Sequence, residues 1–155
     1  MKRRDQIRMS AEERRELLAE GRMLTLATTG PQGRPHLVPL WYVPAGEQLL
    51  TWTYAASQKA RNLRRDPRAT ALVEAGSQYH ELRGVSMECD VELVDDPDQV
   101  AAIGLALTAR YAGGEPAEEA RAQVLRQAPK RVGLRLTPTR VASWDHRKLG
   151  GTQEG

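Results

Sequence analysis

Short runs of Leu, Val, Thr and aromatic residues follow one another along this chain without the regular strand–helix–strand alternation that a parallel sheet needs. The runs are Met23 to Thr29, Pro35 to Val43, Gln48 to Thr53, Ala69 to Glu74 and Tyr79 to Val94, with Lys130 to Leu136 and Thr139 to Trp144 closing the sequence. Gly30-Pro31-Gln32-Gly33 reads as the turn of a hairpin, and Pro44-Ala45-Gly46 turns into the third run. Tyr79 to Val94 is long enough for one bent strand or two, with Gly84 as the expected bulge. The pattern predicts a mainly β fold of the α+β kind, a small antiparallel barrel with helices beside it.

Three helices are expected around that barrel besides the basic helix that follows Trp52-Thr53. Ser10-Ala11-Glu12-Glu13 has the spacing of a capping box, Leu17 and Leu18 follow on one face, and Gly21 is expected to end the helix in the left-handed conformation. Asp95-Asp96-Pro97-Asp98 opens a second helix carrying Val100, Ile103, Leu107 and Tyr111 at helical spacing, and Gly113-Gly114 stops it. Glu115 to Gln127 reads as a third. Residues 10–149 form a single domain in this reading, flanked by a flexible arm over 1–9 and a flexible tail over 150–155.

Composition limits what such a domain can be. With 155 residues, 40% hydrophobic content, no Phe and 28% charged residues, the apolar surplus is small, and pairing with a second copy is expected to complete the core. The net charge of +3 is unevenly spread: Met1 to Arg8 and Ser57 to Arg68 are basic, whereas Glu81 to Asp98 is acidic, which argues against a continuous nucleic-acid face. Cys89 is the single cysteine, so no intrachain disulfide forms. Neither a signal peptide nor a bilayer-length apolar run is present, and a soluble cytoplasmic protein without membrane partners is expected. His36, His80 and His146 have no ligand-like spacing with one another or with Cys89, so no metal site is expected.

Chemistry concentrates at Ser57-Gln58-Lys59-Ala60-Arg61-Asn62-Leu63-Arg64-Arg65-Asp66-Pro67-Arg68, a basic helix placed directly after the strand run ending Trp52-Thr53. A helix entrance offers free backbone N–H groups and the positive end of a dipole, and so suits a phosphate. Of the 23 basic residues only those at 2, 59, 130 and 148 are Lys. An ammonium at Lys59 is a compact charge that approaches a phosphate oxygen without the angular demands of a guanidinium. Asn62 lies three residues on, along the same face, and Ser57 either caps the helix or bonds the phosphate. Trp41 and Trp52-Thr53 end the strands that would flank a flat ring, although strand aromatics also pack cores.

Gly33-Arg34-Pro35-His36-Leu37-Val38-Pro39-Leu40-Trp41-Tyr42, then Trp52-Thr53, then Ser57 to Arg68, together resemble the pyridoxamine 5'-phosphate oxidase-like split-barrel oxidoreductases. Within that group the likeness is to the branch using the 8-hydroxy-5-deazaflavin coenzyme F420. It runs from Ser10 to Leu149 and is sharpest from Gly33 to Arg68. The resemblance implies a six-stranded antiparallel split β-barrel, a homodimer with cofactor grooves between the subunits, and cofactor contacts from Lys59, Asn62, Ser57, Gln58, Thr53, Trp52, Trp41, Leu40 and Arg61. It implies hydride transfer between the deazaflavin and a small unsaturated or conjugated substrate, with no side chain assigned as catalytic. FMN is the alternative cofactor, because both carry a ribityl phosphate, and a non-catalytic carrier of cofactor or tetrapyrrole is a further reading. The polyglutamate tail of the deazaflavin would meet a cationic rim of Lys130, Arg131, Arg135, Arg61, Arg64 and Arg65. Ser143 to Leu149 either lines the groove or seals the barrel; Asp145 and His146, adjacent on a strand, point to opposite faces and are no acid–base pair.

Overall fold

Strong alternation of buried and exposed residues along Met23–Thr29, with Leu24, Leu26 and Thr28 inward, makes β1 a half-buried strand, and the same pattern repeats through the sheet. A computed structural model of the chain describes residues 1–152; the tail expected over 150–155 therefore lies partly outside the described residues. The strands are β1 (Met23–Thr29), β2 (Pro35–Trp41), β3 (Val43–Ala45), β4 (Gln48–Tyr54), β5 (Arg68–Ala75), β6 (Arg83–Val94) and β7 (Arg131–Asp145). All pair antiparallel in one sheet of order β2-β1-β5-β6-β7-β4-β3.

The two outermost strands, β2 and β3, are joined by Tyr42 alone. Opposite edges of a seven-stranded sheet can lie one residue apart only if the sheet curls round on itself, and the result is a half-barrel. Thr51 Oγ1 of β4 donates to Trp41 O at 2.6 Å and ties edge strand β2 to β4, the neighbour of β3. Inside the curl, Leu24, Leu26, Leu49, Ala71, Val73, Val85, Met87, Leu134 and Leu136 form the main core.

Among the described residues five α-helices flank the sheet: α1 (Arg3–Gln6), α2 (Ala11–Glu20), α3 (Gln58–Arg65), α4 (Pro97–Ala112) and α5 (Glu118–Gln127). The capping box of α2 forms as the spacing requires, Ser10 Oγ accepting from Glu13 N at 3.1 Å and Glu13 Oε1 from Ser10 N at 2.8 Å. On α4, Val100, Ile103, Gly104 and Leu107 are buried, and this side packs with Val94 and Ala128 over Leu50 and Trp52 on the outer face of β4, a second, smaller core. Gly113 ends α4 in the left-handed conformation at φ 75°. The N-terminal arm is anchored at its far end: Met9 is buried and its N–H donates to Ser143 Oγ, while Asp145 N donates to Ile7 O.

Several expectations need correction. Seven strands form rather than six: the run from Pro35 breaks at Tyr42 to create β3, and the two closing runs are one continuous β7. The irregularity lies not at Gly84 but between Glu88 and Cys89, whose partners Arg140 and Pro138 leave Thr139 as the extra residue. Gly84 pairs regularly with Trp144, and a Cβ there would collide with the indole. Gly21 ends α2 with φ −64°, not left-handed; it is needed because a Cβ would stand 2.6 Å from the Tyr42 hydroxyl.

Gly84→Ala is expected to lower folding stability by ~1–3 kcal/mol through overpacking against Trp144. Chemical denaturation with fluorescence detection measures this, and an unchanged midpoint would show that the indole moves aside freely.

Candidate functional site

α3 leaves the end of β4 through the turn Ala55–Ser57, and its first task is to be held in place. Ser57 caps it, the Oγ accepting from Ala60 N at 3.2 Å and from Thr53 Oγ1 at 3.3 Å. Asn62 is wholly buried, its Nδ2 donating to Thr28 Oγ1 at 3.1 Å and its Oδ1 accepting from Gln58 Nε2 at 2.7 Å. Ala60 and Leu63 are buried beside it. Ser57, Gln58 and Asn62 thus fix α3 against β1 and β4, and Lys59 and Arg61 are left on the outer side.

Lys59 is half-buried, and its ammonium is held below the ordinary lysine range, first by burial and second by the positive charge of Arg131. Among the described residues no carboxylate lies within ion-pairing distance of Lys59, Arg61, Lys130 or Arg131. The neighbouring arginines differ. Arg64 pairs with Asp95 at 2.9 Å, Arg135 with Glu92 at 2.9 Å, and Arg65 donates to Thr29 O at 2.6 Å. Of the expected cationic rim, Arg61, Lys130 and Arg131 are thus left without a carboxylate or backbone-carbonyl partner among the described residues, and the charge of Arg131 reaches Lys59.

Arg131 opens β7 directly opposite Tyr54. Its guanidinium carbon lies 3.9 Å from the centroid of the Tyr54 ring and 4.8 Å from that of Trp52, and Nη2 donates to Gln127 Oε1 at 3.0 Å. The Nε is buried without a hydrogen-bond partner. Arg131 also lines a cavity of about 540 Å³ between β4, the end of β2 and the α4–α5 pair. Leu40, Trp41, Trp52, Leu107, Gln123 and Gln127 wall it. Trp41 is stacked on Tyr111 with centroids 4.1 Å apart at 16°, and Trp52 is pressed from behind by α4 at Gly104, where a Cβ would strike its ring.

Of the expected site residues, Leu40, Trp41 and Trp52 meet at the cavity, and Lys59 and Arg61 stand on the outer side of α3. Thr53 is buried with its hydroxyl on Ser57, and Ser57, Gln58 and Asn62 are engaged within the chain. Arg131 was read from sequence only as rim charge; its place opposite Tyr54 depends on strand register, which no local signal gives. Gly104 did carry a signal, since glycine within a helix costs about 1 kcal/mol against alanine and marks close packing. Outside the site, Asp145 pairs with Arg147 at 2.8 Å, and His146 Nδ1 lies 2.8 Å from Tyr79 O. Burial among apolar neighbours pushes the Cys89 thiol up to about 12, so it is no nucleophile near neutral pH. No cluster of metal-ligating side chains occurs among the described residues.

The geometry finds counterparts among known proteins. A conserved hypothetical protein, Rv2991 from Mycobacterium tuberculosis, is 43% identical with a TM-score of 0.87, over 97% of this chain and 93% of that one. An F420 reductase is 28% identical with a TM-score of 0.63, over 81% of this chain and 93% of its own. The heme storage protein HutZ of Vibrio cholerae shares the fold at 20% identity and a TM-score of 0.67, over 84% and 92% of the two chains. No curated protein matches the sequence significantly. The family model described as pyridoxamine 5'-phosphate oxidase matches residues 10–145, nearly the whole half-barrel and its helices. The chain therefore belongs to the pyridoxamine 5'-phosphate oxidase family.

Proposed function

We propose that this protein is an oxidoreductase that binds a flavin-type cofactor, prefers coenzyme F420 to FMN, and passes a hydride to a small unsaturated or conjugated acceptor. The observation that carries this reading is Arg131, which lines the cavity between the tryptophans and also presses its charge on Lys59. A molecule with a flat ring and a phosphate finds a fitting surface for each, side by side. The residues suit such a group: among the described residues Lys59 has no carboxylate partner, and Leu40, Trp41, Trp52 and Leu107 offer apolar walls. The 28% identity to an F420 reductase supports the choice of cofactor branch.

In this reading Lys59 holds the phosphate, with Arg61 and Lys130 beside it toward the polyglutamate tail. When bound, the reduced deazaflavin supplies the hydride from its ring carbon C5. Trp52, immobilised by Gly104, keeps water from one side of the cavity and fixes the plane against which a ring rests. Among the described residues this chain's lining of the cavity holds no Asp, Glu, His or Cys, so in this reading a proton required by the acceptor comes from water or from a donor outside that lining.

The working form in this reading is a homodimer. Pro35, Leu37, Pro39 and Trp41 all face outward from edge strand β2, and Met23 stands opposite Trp41 on β1. Leu37 is 62% exposed and Trp41 53%. A second copy covering this row would bury apolar surface that a lone half-barrel leaves in water.

Calorimetry at physiological salt is expected to give tighter binding for F420 than for FMN; equal or stronger binding of FMN reverses the assignment. Lys59→Ala should weaken cofactor binding by about one to two powers of ten, as expected for a charge-assisted hydrogen bond, with little change in stability. Arg64→Ala, which removes a cation already paired with Asp95, should leave affinity unchanged. Equal losses in the two variants would mean that only a diffuse field attracts the cofactor. Leu37→Glu is expected to convert the dimer to monomer in sedimentation velocity at micromolar concentration; a wild-type monomer with full cofactor affinity would refute the dimeric site.

A further inference from the structure

The cavity between β4, the end of β2 and the α4–α5 pair is lined by neutral side chains with one exception, Arg131. Among the described residues no carboxylate pairs with it. The acids of α5, Glu118 and Glu119, are exposed in its first turn and stand outside the lining. A cation beside apolar walls without a counter-ion is a costly arrangement. It is also a rigid one: the guanidinium rests against the rings of Tyr54 and Trp52, and Gln127 fixes its rotation. Of its N–H groups, one on Nη2 goes to Gln127, that of Nε is buried without a partner, and those of Nη1 meet no acceptor among the described residues. Gln123, four residues before Gln127 on the same side of α5, brings a second amide to the cavity.

We infer that the acceptor this cavity selects is a conjugated carboxylic acid, its carboxylate on Arg131 and its ring toward Trp52 and Trp41. That an acceptor enters here rests on the reading of the protein as an oxidoreductase; its charge and shape come from the lining. The planar guanidinium fork matches the two oxygens of one carboxylate. One cation suits an anion of one charge, whereas a doubly charged phosphate would keep half its charge uncompensated between apolar walls. The length fits as well. Arg131 stands opposite Tyr54, and Trp41 is tied to Thr51, three residues earlier on β4, so about 10 Å of strand separates the charged end from the Trp41 end. An aromatic ring joined to a carboxylate through one double bond spans most of that distance. Arg131 is on this account a specificity-determining residue, and its effect is on binding.

Cinnamate and cinnamamide test this, because they share ring, double bond and shape and differ in charge at about pH 7. Calorimetric titration of the full chain without cofactor should show cinnamate binding about tenfold tighter than the amide. Arg131→Met keeps an apolar stem against the two rings and should cut that preference to about twofold or less. Arg135→Ala removes a β7 cation already paired with Glu92 and should leave the preference unchanged. If Arg131→Met proves unfolded by circular dichroism, Arg131→Gln is read by the same criterion. Absence of cinnamate binding, equal wild-type affinity for the two ligands, or full preference in the folded Arg131 variant overturns the assignment. Equal losses in the Arg131 and Arg135 variants overturn it too, since a diffuse positive field would then suffice. So does mutual exclusion of cinnamate and F420, because acceptor and cofactor have to be bound together. Failure of F420 binding with the acid preference intact would refute the proposed function and leave the acid site standing; tight F420 binding without the preference would do the reverse.

Discussion

A sheet whose first and last strands are separated in sequence by one residue has a single way to satisfy both edges, and Tyr42 is that residue. It is fully buried, its hydroxyl donates to Leu18 O at 2.6 Å, and its carbonyl accepts from Arg110 Nη1 at 2.8 Å. Arg110 in turn reaches the carbonyls of Leu18, Ala19 and Gly21, so a cation from α4 neutralises the negative end of α2. Tyr111, next in sequence, donates to Arg22 O and stacks on Trp41. Through these contacts the closing of the half-barrel sets where α4 lies, and α4 sets where Trp52 and the cavity lie. The site is therefore a consequence of closure and cannot form on a flat sheet.

What the sequence could say about this depended on how far away each answer lay. β1 and the buried stripe of α4 were legible because their patterns are local, with period two and period 3.6. The basic helix and its cap were legible for the same reason, since Ser57 and Ala60 are three residues apart. Asn62 was read as a ligand because its spacing from Lys59 suits one; its actual partner, Thr28, is 34 residues away and unseen in any window. Gly21 and Gly84 were recognised as special, but for conformational freedom, when each instead makes room for a side chain from a distant strand. Arg131 sits beside Trp52 and Tyr54 only because β7 pairs with β4 in one register, and register is a property of the finished sheet.

Charge follows the same logic. The sequence shows basic stretches and an acidic stretch, and the fold sets cations from elsewhere against the acids too: Arg64 of the basic helix meets Asp95, while Arg135 and Arg140 of β7 meet Glu92 and Glu88. Exposed pairs of this kind contribute little stability, about 0–1 kcal/mol each, but each engages a cation that the sequence alone would offer to a ligand. The net charge of +3 is thus a poor guide to binding. Whether a given cation meets an acid in the fold is more informative than how many cations the chain carries.

The position of β7 has a consequence for how the chain is made. β7 pairs with β6 on one side and β4 on the other, so without it the sheet falls into two pieces, β2-β1-β5-β6 and the hairpin β3-β4. On the ribosome the hairpin emerges early, yet its pairing strand begins only at Arg131. Until then β4 has no neighbour on its β7 edge. A nascent chain of this protein carries an unpaired strand edge from the emergence of β4 to that of β7, and chaperone binding would act on that interval rather than on the finished barrel.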